Sequence, residues 1–104
     1  MIGLALPTIK FTRASMKADR DGFYFYEGSG ACAMTVADGS IQLINGIETA
    51  GLRFIKNKAS AAVNVTITAT LYDTAAAATV VLTPGQGVWL KWDNTHWSTI
   101  AKVN

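Results

Sequence analysis

The chain has 104 residues, half of them apolar and only 15% charged, with a formal net charge of +2. This length holds one domain around one core, and a charge fraction well below the ~25% of average soluble domains implies a surface that faces another protein chain. So small a net charge argues against a nucleic-acid binder, which needs a pronounced basic patch, and the apolar runs fall far short of the ~20 residues that cross a bilayer.

Charge is unevenly placed. Lys10, Arg13, Lys17 and Arg20 stand against Asp19 and Asp21, so the whole excess of +2 lies within residues 1–22. That segment reads as a docking arm, with residues 23–104 a neutral single β-domain. "MIGLALPTIK" lacks a basic n-region and its apolar run stops at Pro7, so it does not read as a secretory signal. The arm closes in the turn chemistry of "KADRDG".

From Gly22 onward the chain is a series of short strand-like runs. "FYFYE" at 23–27 is aromatic and stops at "GSG". "ACAMTV" at 31–36 contains Cys32, the single cysteine, which can form no intrachain disulfide and reads as a buried thiol. "IQLI" at 41–44 is bounded by "NG" and "LRFI" at 52–55 by "KNKAS". "AVNVTITATLYD" at 62–73 alternates, with Val63, Val65, Ile67, Ala69 and Leu71 on one face, which predicts a strand with one buried side. "TAAAAT" at 74–79 is too short to nucleate a helix. "TVVLTPGQGVWLKWD" then predicts a hairpin turning at Pro84-Gly85, and "HWSTIAKV" the last strand. Strands at ~8–12-residue spacing without a helical period predict an all-β fold, an antiparallel β-sandwich or a jelly-roll-like small barrel.

Strand parity divides the three tryptophans. Trp92 and Trp97 bracket the turn "DNTH" and can pack together in the core, whereas Trp89 points to the other face.

No catalytic constellation emerges, and the chain is read as a non-enzyme without a cofactor. The lone His96 follows Asp93 by three residues, a spacing that fits a base and its orienter but fits better an Asp-capped turn, because no nucleophile is linked to the pair. One His and one Cys cannot form a zinc site. "DRDG" at 19–22 lacks the spaced ligands of a calcium loop. "GSGA" and "PGQG" lack the lysine and the strand-to-helix setting of a phosphate loop. Trp89, Tyr24, Tyr26 and Tyr72 offer one alternative, a ring face for sugars, against the commoner use of such residues as core and interface anchors.

The stretch "VNVTITATLYDTAAAATVVLTPGQGVWLKWDNTHWSTI", with its lead-in "GLRFIKNKASAAVNVTI", resembles small β-domains of tailed-bacteriophage structural proteins, found in tail fibres, tailspikes and head-decoration (cement) proteins. The resemblance covers about residues 51 to 101. Asn57, Pro84, Gly85 and Trp97 match positions the pattern usually fills with structural residues, while Trp89 and Trp92 stand where small or polar residues are more usual. It implies a viral, oligomeric β-module.

Taken as an arm and one domain, without repeats or heptads, the chain fits a homotrimeric decoration protein on the head surface of a virion, made in the host cytoplasm. Its expected partners are the major capsid protein and two further copies of itself, with no nucleic acid and no membrane; the alternative is a tail-fibre module that contacts host glycan. Capsid contact is expected of Ile9, Lys10, Phe11, Arg13, Met16, Lys17 and Arg20 in the arm. Subunit contact is expected of Phe23, Phe25 and Trp89.

Overall fold

The structure is a computed structural model that describes residues 6–39, 42–44, 47–49, 51–70 and 79–104, with the backbone alone at 42–44 and 47–49. Every regular element among these residues is a strand. They are β1 (Thr8–Phe11), β2 (Ser15–Ala18), β3 (Gly22–Tyr26), β4 (Cys32–Val36), β5 (Gln42–Ile44), β6 (Ile47–Thr49), β7 (Leu52–Asn57), β8 (Val65–Thr68), β9 (Thr79–Leu82), β10 (Gly87–Trp92) and β11 (Trp97–Val103). Among its described residues the long alternating run yields β8, with Val65, Ile67 and Ala69 buried in the order its period requires. Leu71 and the residues of the alanine run up to Ala78 lie outside the described residues.

Two sheets hold the core. One has the order β1-β3-β7-β10-β11 and the other β2-β4-β8-β9, while β5 and β6 pair with each other in a two-stranded sheet. The expected antiparallel arrangement is corrected here, because both sheets are mixed: β1, β3 and β7 run parallel in one, and β2, β4 and β8 run parallel in the other. The cause lies in the connections. After Phe11 and after Ala18 the chain does not turn back beside itself but crosses to the other sheet through residues 12–14 and 19–21, a reach that matches the ~10 Å between packed sheets. Parallel neighbours need a crossover between them, and each sheet supplies the crossover strands of the other.

The chain therefore rises as a coil. Its first rung is β1 and β2, its second β3 and β4, and its third β7 and β8, with β5–β6 inserted before the third. Antiparallel β9, β10 and β11 close the far end. Residues 8–18, expected within the docking arm, are the edge strands of the two sheets, and Phe11 and Ala18 are buried in the core. Residues 1–5 of that segment lie outside the described residues.

The inward faces of both sheets join in one cluster, with Tyr24, Tyr26, Ile55, Val88, Leu90 and Trp97 from the first and Met34, Val65, Ile67 and Leu82 from the second. Two polar side chains sit among them, both on β7. Arg53, 3% exposed, donates from one guanidinium nitrogen to the carbonyls of Ala18 and Ala37, each at 2.7 Å. Its Nε lies 3.4 Å from Asp21, and the guanidinium stands 4.6 Å over the Trp97 ring. At the other end of β7, the fully buried Asn57 donates through Nδ2 to the carbonyls of Val63 and Leu82. Its Oδ1 accepts the Ala59 amide. Buried polar groups persist only when bonded in this way, and here their partners lie on the opposite sheet or on the loops that lead to it.

Glycine is required where the tryptophans pack. Gly51 has φ +67°, and a Cβ there would meet the Trp92 side chain at 2.8 Å. Asn57→Ala is expected to lower stability by about 2–4 kcal/mol, because two buried carbonyls and one amide lose their partner together. Urea unfolding measures it, and a loss under about 0.5 kcal/mol, the range of ordinary surface changes, would contradict this role.

Candidate interaction face

The outer face of the five-stranded sheet follows from strand parity. In β3 the tyrosines point inward and the phenylalanines outward, because Tyr24 and Tyr26 find acceptors for their hydroxyls in the carbonyls of Arg20 and Gly30. Burial of the Tyr24 phenol raises its pKa. In β7 the inward places are held by Arg53, Ile55 and Asn57, so Leu52, Phe54 and Lys56 face out. In β10 Trp89 and Lys91 face out between buried Val88, Leu90 and Trp92.

Register brings these residues into rows. One row runs Thr8, Phe23, Phe54, Trp89 and Ala101 across the five strands. The next runs Lys10, Phe25, Lys56, Gly87 and Val103. Phe54 is the hub of the aromatic set, 4.7 Å from Trp89, 6.1 Å from Phe25 and 6.2 Å from Phe23, and Phe23 meets Trp89 edge-on at 5.6 Å. Gly87 leaves room for this hub, since a Cβ there would lie 2.6 Å from Phe54 Cζ. All four rings are half-buried. Lysines frame them: Lys10 and Lys56 flank Phe25 in its row, and Lys58 stands 5.5 Å over the Phe25 ring while meeting Glu27 at 3.8 Å.

The three residues expected at a subunit contact, Phe23, Phe25 and Trp89, thus share one outer face. Phe54 and Leu52 join them; sequence reading took "LRFI" as a strand without assigning its outward side.

The residues expected to contact capsid divide. Phe11 is buried, and Ile9 and Met16 are half-buried against the core, so most of their apolar surface is used inside the fold. Lys10, Arg13, Lys17 and Arg20 are exposed. The sugar-binding alternative loses Tyr24 and Tyr26, each 1% exposed, and Tyr72 lies outside the described residues.

Trp92 and Trp97 are both buried and pack at 5.2 Å across the turn. That turn answers the question of Asp93 and His96. The carboxylate Oδ1 accepts the His96 amide at 2.6 Å and the Thr95 amide at 2.9 Å, while His96 Nδ1 lies 3.1 Å from Thr95 Oγ1. Asp93 bonds the two backbone amides of the turn and the Thr95 hydroxyl. Asn94 takes the left-handed φ of +85° between them. The buried Cys32 thiol is 3.5 Å from the Arg13 carbonyl, and burial raises its pKa. Among the described residues no group of three metal-ligating side chains comes together, and no helix is long and apolar enough to cross a membrane.

The chain matches no family model, no curated protein and no solved structure.

Two outcomes are expected. The backbone amides of His96 and Thr95 hold the Asp93 carboxyl below its ordinary pKa. The stabilisation this gives is complete above the unfolded pKa of ~3.9 and is lost as pH falls through the lower folded value. NMR titration should show the His96 and Thr95 amides shifting together in that acid range; invariance of both would remove the cap. Cys32 should resist alkylation in the native protein and react on unfolding, whereas rapid native labelling would show that the thiol is not enclosed.

Proposed function

We propose that the chain is a virion structural protein, a β-sandwich module that assembles as a homotrimer and decorates the head shell of a tailed phage by binding its major capsid protein. The observation that carries this reading is the outer face centred on Phe54, where four contacting aromatic rings stay half-exposed inside a frame of lysines. A monomer gains nothing by leaving such a surface in water, whereas clustered aromatics with a polar rim are the usual anatomy of a protein interface. The resemblance of residues 51–101 to phage structural modules supports the viral setting, and the low overall charge supports a surface covered by other chains.

In this reading the aromatic face joins subunits with Lys10 at its rim, and the exposed cations Arg13, Lys17 and Arg20 meet the capsid. Three modules on one knob bind three capsid sites, so the second and third contacts form at high effective concentration. The role is mechanical, and the site performs no bond chemistry.

Replacing Trp89 with Ser removes an interface anchor worth about 2 kcal/mol, which weakens association roughly thirtyfold. Light scattering is expected to give a trimer for the native protein and a monomer for the variant at micromolar concentration. Co-sedimentation with purified heads is expected to fall in parallel. A native monomer, or undiminished head binding by the variant, would contradict the reading.

A further inference from the structure

The two ends of the coil are not alike. At the far end β11 carries an irregular register beside Trp89 and Leu90, Lys102 Nζ caps the Val81 carbonyl on β9, and Asn57 caps the Leu82 carbonyl. Bulges and side-chain caps of this kind blunt a sheet edge.

The first rung has no comparable device among the described residues. In β2 the carbonyls of Ala14 and Ala18 accept the Ala33 and Ala37 amides of the neighbouring β4 side, which fixes the ladder parity. Backbone groups of a parallel strand alternate in direction, so the amides and carbonyls of Ser15 and Lys17 point away from β4 toward open solvent.

Arg13, Ser15 and Lys17 of this edge, with Ala33 and Thr35 of β4, line an open depression on the outer face of the four-stranded sheet. Met16, half-buried against the core, contributes its flank to the same depression. Two exposed cations, Arg13 and Lys17, face it against one carboxylate, Asp19, which lies beyond the end of β2.

We propose that the β2 edge binds an extended, acidic segment of a partner protein, which adds to the four-stranded sheet as the next strand of the coil. Main-chain bonds to Ser15 and Lys17 supply the register, as in other strand additions. Alternate side chains of the segment then fall on two faces. Carboxylates on the outer face meet Lys17 and Arg13, and an apolar residue on the inner face covers Met16. This inference rests on the proposed function only in taking the partner to be a protein. It places that contact on the opposite sheet from the aromatic face, so a subunit held by one remains open at the other.

The test uses the full chain, labelled with nitrogen-15, and a capped synthetic octapeptide of alternating glutamate and valine. A peptide of alternating lysine and valine is the counter-probe. At saturating glutamate peptide the Ser15 and Lys17 amides are expected to exchange about tenfold more slowly, and the lysine peptide to leave them unchanged. The double variant Arg13→Glu, Lys17→Glu, both exposed positions, is expected to bind the glutamate peptide roughly tenfold more weakly and to gain binding of the lysine peptide. The Trp97 indole signal, deep in the core, reports that the variant is folded. No binding at millimolar peptide overturns the proposal. So does binding whose shifts map to Phe54 and Trp89. Slowing of the two amides with protein concentration alone also overturns it, since the occupant is then a second copy. A native protein that stays monomeric with the peptide result intact would refute the oligomer and leave the edge site standing.

Discussion

Arg53 and Asn57 stand at the two ends of one inward strand face, each bonded to carbonyls that belong to the other sheet or its loops. A desolvated guanidinium without partners would cost several kcal/mol, so this arrangement exists only while Ala18, Ala37 and Asp21 hold their places. Conversely, Arg53 supplies a charged donor to the carbonyls of Ala18 and Ala37 at the ends of β2 and β4. The two sheets are thus fixed in relative position by bonds that have direction, where apolar contacts alone would tolerate sliding. Ile55 between them keeps the strand anchored in the core.

Filling the inward side of β7 with Arg53 and Asn57 has a consequence on the other side. Strand parity then sends Leu52, Phe54 and Lys56 outward, and register sets Phe54 between Phe23 and Trp89. β3 obeys the same logic, since its tyrosines can satisfy their hydroxyls inside and its phenylalanines need no partner outside. The aromatic outer face is therefore coupled to the core by parity: the polar side chains that lock the sheets together are the reason that large rings stand on the outer face.

Strand positions were legible because β-branched and aromatic runs separated by Gly, Asn and Asp leave few alternatives, and β3, β4, β7, β9, β10 and β11 all fall on runs read from sequence. The split of the tryptophans was legible too, since period two needs no tertiary knowledge. Direction was not. A short connection with turn residues serves equally to reverse a strand beside its neighbour or to carry it to a facing sheet, so the parallel coil left no local mark. The charge of residues 1–22 suggested an arm because Lys10, Arg13 and Lys17 alternate with Ile9, Phe11 and Met16 too briefly to read as strands. Phe54 was missed for the converse reason: in "LRFIKN" hydrophobicity puts Phe inside and Arg outside, and only the partners of Arg53, distant in sequence, invert that choice.

The central claim is that the face around Phe54 is covered by protein when the molecule is at work. Trp92 and Trp97 are buried within the fold, so Trp89 is the half-exposed indole whose accessibility reports on that face. Incorporation of fluorotryptophan gives each indole its own fluorine resonance, and the solvent isotope shift of each resonance reads its contact with water. The account predicts that the Trp89 shift is large in the dilute monomer and collapses in the assembled state, while those of Trp92 and Trp97 stay small throughout. A Trp89 resonance that remains fully water-exposed in the assembly would contradict it.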